Sequence, residues 1–398
     1  MLCLAWLPFD RVYSVSIGFM TVTPYYVGIV LVFITTLVKV VFDRERFVVT
    51  ATDFALGAVC FMYLCSTLLS DIPQTAGLLA FRAIFIPTLT YFVCKALLQD
   101  EEMLLRALNL FAVGIGVLAG AALVAFVISS ERPEPFGRDG VAMASMAIVP
   151  LMVGLYGVQR GHRLWRLVMI GGGLVAVGVS ISRAYWIFVL LSPLFFRLFM
   201  RGRAFMVALA MLATSLLLTL WITTDASSFA TVRINNQEDH GIQRVLSAEH
   251  WKAAIYNRVV LMYAPSLEQF ERRPIFGRGL YVAESQATTT HNLHLEWLES
   301  GGLLGYLAFA ALYLTHFRNL SRRARGDPMS SALGIASLAI LINGITNGIM
   351  HSVMPTVAMM CLGLVAARLQ GIRRREVETA PIRLVWQPTV RSTQTRRS

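Results

Sequence analysis

The sequence predicts an all-α, polytopic integral membrane protein with about 12 transmembrane helices, and three observations carry that prediction. Of 398 residues, 56% are hydrophobic and 15% charged, with a mean hydropathy of +0.62, too apolar for a surface that faces water. The apolar residues come in runs of about 17 to 25, the length a helix needs to cross the hydrocarbon core. The charged residues gather in short clusters between those runs. A closed β-barrel would show short alternating segments instead, whereas a helix bonds its own backbone groups within each run, as lipid requires.

The runs place helices near 1–20, 22–42, 54–70, 78–97, 104–128, 140–158, 164–181, 184–200, 204–222, 302–317, 331–347 and 350–369. Asp10 and Arg11 interrupt the first run, and with no basic leader before them a cleavable signal peptide is not expected. With the N-terminus inside, Lys and Arg fall on the cytoplasmic side almost throughout, at Arg44 and Arg46, at 95–106, 160–166, 197–203 and 318–325, and in the tail with Arg373, Arg374 and Arg375. The outward turns at 70–77 and 343–352 carry few basic residues. Without the first span the N-terminus starts outside, and the other helices keep their orientation.

The net charge of +12 is therefore a topology signal and does not point to nucleic acid. The five cysteines, Cys3, Cys60, Cys65, Cys94 and Cys361, lie in or beside apolar runs without CxxC spacing, so neither a zinc site nor a disulfide framework is indicated.

One connection is out of scale. About 80 residues join the ninth and tenth spans on the outer side, where helix-to-helix links usually take a handful. Within it, 247–269 mixes apolar and polar residues at helical spacing, with Trp251, Ile255, Val259, Leu261 and Met262 available for one face. The chain then breaks at Pro274 and turns through Gly277 and Gly279. The expected organisation is an N-terminal transmembrane bundle over 1–222, a large, partly helical periplasmic loop over 223–301 that bears the site, C-terminal transmembrane helices over 302–369, and a basic cytoplasmic tail over 370–398. No internal repeat of the inverted-transporter kind is visible.

Where the loop re-enters the membrane the chain reads His291-Asn292-Leu293-His294-Leu295-Glu296-Trp297-Leu298-Glu299-Ser300-Gly301-Gly302-Leu303-Leu304-Gly305. This resembles the signature of the bacterial O-antigen ligase and polymerase superfamily: His, then Asn, Ser or Gln, nine residues, Gly, two residues, and Gly, Thr or Tyr. His291, Asn292, Gly302 and Gly305 fit its fixed positions. Arg273-Pro274-Ile275-Phe276-Gly277-Arg278-Gly279-Leu280 is similar to the family's Pro-Leu-Phe-Gly-x-Gly turn, with Arg258 in the helical stretch upstream. Ser182-Arg183 resembles the family's Ser-Arg before a transmembrane helix. The resemblance is strong over about 175–317 and topological before that; Phe136-Gly137-Arg138-Asp139-Gly140 departs from the Pro-Asn pair of many relatives.

The resemblance implies transfer of a glycan from an undecaprenyl-diphosphate-linked donor to an acceptor hydroxyl, on a glycan or on lipid A core, at the periplasmic face of the bacterial inner (cytoplasmic) membrane. His291 is then the candidate catalytic base, since imidazole titrates near neutral pH. Arg183 and Arg258, with Arg278, are candidate donors to the diphosphate. Asn292 is a candidate to orient the imidazole or cap the following helix. Gly301, Gly302 and Gly305 are expected to allow close approach of a neighbour or lipid carrier. Arg82, just inside the outer end of its helix, is a further candidate by position.

The bland readings stand beside these. Arg183 and Arg82 also suit snorkelling to headgroups. His294 suits a hydrogen-bonded structural histidine, and Glu296 and Glu299 suit solvation or pairing with loop arginines. Trp186, Trp221, Tyr281 and Trp297 suit an interfacial belt. His351 faces outward without a motif. No metal or other cofactor is expected: His291, His294 and Glu296 lack a third spaced ligand, and the acidic run Glu238-Asp239-His240 stands alone. Ligation, polymerisation into surface or exopolysaccharide and protein O-glycosylation share the motif. A lipid-linked oligosaccharide flippase or other transporter remains the reading from another class, kept open by Lys39, Pro87 and Pro193.

Overall fold

The computed structural model describes residues 2–10, 14–17, 20–42, 48–129, 140–157, 163–180, 182–224, 263–280, 292–347 and 353–379. Within them the protein is overwhelmingly helical. Helix α1 (Leu2–Trp6) leads through a 3-10 turn (Leu7–Phe9) into a two-stranded antiparallel hairpin, β1 (Val15–Ile17) on β2 (Met20–Val22). There follow α2 (Pro24–Phe42), α3 (Ala51–Leu68), α4 (Pro73–Leu97), α5 (Glu101–Ser129), α6 (Gly140–Gly157), α7 (Arg163–Val179), α8 (Arg183–Met200) and α9 (Ala204–Thr224). After the long connection come α10 (Ala264–Arg272), α11 (Leu293–Arg323), α12 (Pro328–Asn347) and α13 (Met354–Thr379). Seven of these helices, α3, α4, α5, α6, α9, α11 and α13, are long and apolar enough to cross a membrane; shorter apolar helices lie at Pro24–Val40, Ala184–Met200 and Pro328–Gly344.

Local chemistry sets several boundaries. Proline opens α2, α4 and α12, where the missing N–H costs nothing and the fixed φ suits a first turn. Pro87 and Pro150 lie inside apolar helices, and each is accompanied by a π-helical turn, Phe81–Phe85 in α4 and Val153–Gly157 in α6. In α4 the wider turn contains Ala83, whose carbonyl Pro87 cannot bond.

The helix expected near 1–20 does not form. Five residues of α1 rise only about 7.5 Å, far short of a membrane. Asp10 ends the apolar stretch and is itself buried, and the chain turns into the hairpin. Gly114 of α5 lets this segment lie close: a Cβ there would meet the Ala5 carbonyl oxygen at 3.0 Å and Pro8 at 3.2 Å.

Contacts between turns sort the helix ends. The carbonyl of Val48, before α3, accepts from Lys95 at the end of α4 and from Gln370 of α13. Arg368 of α13 pairs with Glu101 at the start of α5 and with Asp327 between α11 and α12. Ser321 of α11 caps the start of α9 through the Phe205 N–H at 2.6 Å, and Gly157 at the end of α6 lies against Met329 of α12. These turns share one end of the molecule. The 69–72 turn between α3 and α4, the 273–280 turn and the start of α11 share the other. Helices α6 and α13 are innermost, each with 83% of its apolar window buried, while α9, at 28%, is peripheral.

The basic end is held by buried charge. Lys95 pairs with Asp53 at 2.5 Å with both side chains nearly inaccessible. Asp53 also accepts from Tyr91 (2.8 Å) and from the N–H and hydroxyl of Thr50, one turn before it at the start of α3. Helix α13, expected to give way to a loose tail near residue 370, continues to Thr379, and Arg375 reaches Glu101 at 3.0 Å. Burial pushes the Asp327 carboxyl up, but the Arg368 guanidinium and Ser330 more than offset this and hold it below its ordinary value.

Lys95→Met is expected to destabilise by about 3–5 kcal/mol, because it strands the Asp53 carboxylate in an apolar setting; thermal unfolding in detergent measures it. A carboxyl whose folded pKa is depressed contributes stability that is full above the unfolded pKa, about 3.9, and lost as pH falls through the folded value. Asp327→Asn is therefore expected to lower Tm at neutral pH, and its difference from wild type to close below about pH 4.

Candidate functional site

The site is built around a break in α11. The helix starts at Leu293 with Asn292 as N-cap, whose backbone is extended (φ −143°, ψ 121°) and whose side-chain oxygen accepts from the N–H groups of His294 (3.0 Å) and Leu295 (3.2 Å). The other end of the same amide donates to Thr219 Oγ1 of α9 at 3.1 Å. One turn along α9, Ser215 Oγ lies 2.7 Å from His294 Nε2, and His294 Nδ1 lies 3.0 Å from the Tyr306 hydroxyl. Ser215 also donates to the Leu212 carbonyl, so it accepts from Nε2–H, and Tyr306 donates to the bare Nδ1. Both His294 nitrogens are thus occupied in the structural role anticipated for it, with no free lone pair for a substrate proton.

At Gly302 the backbone takes φ 64°, ψ −167°, a conformation essentially restricted to glycine. The turn at 273–279 fills the gap. Leu303 N–H donates to the Pro274 carbonyl (2.8 Å) and Leu304 N–H to that of Ile275 (3.2 Å), while Arg278 N–H and Gly279 N–H donate to the carbonyls of Glu299 and Ser300, each at 3.0 Å. Gly277, at φ 68°, is required by the same approach: a Cβ there would come 2.5 Å from the Ser300 carbonyl. Helix α3 braces the first half of α11. Tyr63 donates to Ser300 Oγ (2.7 Å), which donates to the Glu296 carbonyl, and Ser66 donates to the Ser300 carbonyl at 2.5 Å.

The predicted residues divide accordingly. Asn292 caps the helix. Arg278 is ion-paired with Glu299, which pairs with a loop arginine as anticipated. Arg82 is exposed on the π-helical turn of α4, about 9 Å along that helix from Ala76, which touches Gly279. Arg183 begins α8 after Ser182; its side chain, together with His291, Arg258, Tyr281, His351 and the 238–240 run, lies outside the described residues, as does 247–262 of the expected loop helix. Helix α10 occupies Ala264–Arg272.

Three expectations change. Trp297 is not interfacial: only 1% exposed, it packs edge-on against Tyr63 and stacked on Phe309, because the first half of α11 is tucked into the bundle. Glu296 is buried for the same reason, not solvated. No neighbour among the described residues lies close to Gly305, whereas Gly302 and Gly277 meet closely. Sequence reasoning missed Ser215, Thr219, Tyr306, Tyr63 and Ser66. The one signal for them was polar residues four apart in the apolar run of α9.

Gly302→Ala is expected to cost about 1–3 kcal/mol in backbone strain alone, and more from the clash with the Ile275 carbonyl; the measurement is Tm together with protease sensitivity of the 273–280 turn. Arg278→Ala is expected to lower Tm more than Arg278→Ala combined with Glu299→Gln, because the single change leaves Glu299 charged, buried and without this partner.

No protein-family model matches this chain, and no curated protein matches it.

Proposed function

We propose that the protein is a membrane glycosyltransferase that moves a glycan from undecaprenyl diphosphate to an acceptor hydroxyl, as an O-antigen ligase or a surface-polysaccharide polymerase does. The observation that carries this reading is the meeting of two motif matches. The chain on either side of Gly302 in the His-Asn-x9-Gly stretch and the Pro-x-Phe-Gly-x-Gly turn, more than twenty residues apart, are joined by four backbone hydrogen bonds through Glu299, Ser300, Leu303 and Leu304. Two chance resemblances would have no reason to form one structural unit.

In this reading helices α2 to α9 and α11 to α13 cross the bacterial inner membrane in alternation. The end that gathers Arg201, Arg203, Arg322, Arg323 and Arg325 faces the cytoplasm by the positive-inside rule. The break in α11 and the long loop then face the periplasm, and the C-terminus is cytoplasmic. His291 takes the proton of the attacking hydroxyl as its oxygen bonds to the anomeric carbon. The anomeric carbon–oxygen bond to diphosphate breaks, and undecaprenyl diphosphate leaves with its charge on arginine. Arg278 already faces Glu299, so Arg183 and Arg258 are the first choices for that role, with Arg82 behind them. His294 is bonded at both nitrogens, which favours His291 as the base. Arginine supplies the charge that a divalent ion would supply elsewhere, so the reaction needs no metal.

A flippase would place ionisable groups near the membrane midplane. Among the described residues the buried Lys95–Asp53 pair is an observation on its side, beside Lys39, Pro87 and Pro193, and the pair's partners Thr50 and Val48 assign it to the bracing of a helix end.

Purified wild type in nanodiscs, given a lipid-diphosphate-linked glycan and acceptor with EDTA, is expected to form product that folded His291→Ala does not. Wild-type turnover by His291→Ala would remove His291 as the base. Lipid translocation without bond transfer would replace the transferase reading with the flippase.

A further inference from the structure

At the basic end of the molecule a cleft lies between the start of α3, the last turns of α11 and residues 365–370 of α13. Its polar lining is Thr50 and Thr52, His316, Asn319 and Arg323, and Gln370, and no carboxylate lines it. Positive charge reaches it from two sides. Arg323 is exposed and has no ion pair among the described residues, whereas Arg368 and Arg375, at the same end, are paired with carboxylates. Thr50 is the N-cap of α3, so the N–H groups of Ala51 and Thr52 have no intrahelical acceptor, and the positive end of the helix dipole lies here.

His316 makes this more than a helix end beside an arginine. It lines the cleft at 3% exposure, and its Nε2 has no hydrogen-bond partner among the described residues. Buried ring nitrogens are normally bonded, and in either neutral tautomer one of them carries a hydrogen to donate. Thr52 Oγ1 accepts from Asn319 Nδ2 at 3.0 Å, so its own hydrogen remains to donate. The nearby Asp53 carboxylate does not oppose an anion: it is closed onto Lys95 and accepts from Tyr91 and Thr50 as well.

We propose that this cleft binds an oxyanion of the phosphate class, with Arg323 as its charged ligand and His316 and Thr52 as neutral donors. The proposal goes beyond the transferase reading and does not depend on it. A guanidinium fork matches phosphate oxygens, and the first-turn N–H groups of a helix add donors aimed the same way. Inorganic phosphate and the phosphate of a lipid headgroup offer this chemistry alike. Bound there, the anion joins α3 and α11 beside α13, and it stabilises the fold in proportion to its occupancy.

The test follows thermal unfolding of the full chain in a non-ionic, phosphate-free detergent. Sodium phosphate is added in one arm, with sodium chloride holding the ionic strength constant, and short-chain phosphatidylglycerol in the other. The Tm of wild type is expected to rise and saturate with at least one probe; phosphate alone identifies a soluble anion, phosphatidylglycerol alone a headgroup. Arg323→Gln is expected to raise the half-saturating concentration about tenfold, the loss of one charge-assisted hydrogen bond. His316→Phe, which keeps a ring and removes both nitrogens, is expected to raise it too, and both variants to keep a ligand-free Tm near wild type. Arg325→Gln removes the same charge at the same end, but Arg325 lies against Gly202 and outside the cleft, so binding is expected to be unchanged. No saturable shift with either probe overturns the proposal. So does a half-saturating concentration that Arg325→Gln raises as much as Arg323→Gln, or that neither Arg323→Gln nor His316→Phe changes.

Discussion

A helix interrupted inside an apolar bundle leaves backbone groups that neither lipid nor side chains can easily satisfy. At Gly302 those are the N–H groups of Leu303 and Leu304 and the carbonyls of Glu299 and Ser300, and the 273–279 turn supplies a matching partner for each. This short backbone ladder is the constraint on which the rest of the site depends. It ties the 273–279 turn of the long connection into the helical bundle. The two glycines are needed for opposite sides of one contact: Gly302 for a backbone conformation closed to other residues, Gly277 for the space in which the two strands of chain meet.

Around the ladder the two ends of the molecule are held by different chemistry. The basic end relies on charge, with Arg368 between Asp327 and Glu101, and Lys95 closed onto Asp53. The end with the break relies mainly on neutral bonds, Tyr63 and Ser66 to Ser300 from one side and Ser215 and Thr219 to His294 and Asn292 from the other. Neutral bonds hold geometry without adding fixed charge to a region where, on the proposed function, a diphosphate must be bound. Arg273–Asp71 and Arg278–Glu299 are exceptions, and the second pairing turns an arginine that suited the substrate into a brace for the turn. The division of labour between the two histidines follows from the same scaffold, since His294 is used up in holding α9, α11 and Tyr306 together.

Most of the fold was legible in the sequence because a transmembrane helix is a local object: length, hydropathy and the proline and charge punctuation all lie within the segment itself. Helices form from α2 onward where the apolar runs placed them, seven of them long and apolar enough to cross a membrane, and the reading failed at 1–20, where hydropathy outweighed the interruption at Asp10. It also marked the turn, through Pro274, Gly277 and Gly279, and it named Asn292 as a candidate cap, but it began the helix at 302 and so did not foresee a helix that starts at Leu293 and breaks at Gly302.

The sequence by itself determined the helices, the basic turns and the motif residues, each a property of neighbours along the chain. Only the tertiary structure decided that Trp297 and Glu296 are buried, that Arg278 is paired, and that Tyr63, Ser66, Ser215, Thr219 and Tyr306 hold the site. Those facts depend on which helix faces which, and in apolar helices nearly every face reads alike, so the period of the sequence carries little information about the partner. The pairing is settled by long-range contacts, above all by the backbone groups around Gly302 that the 273–279 turn satisfies.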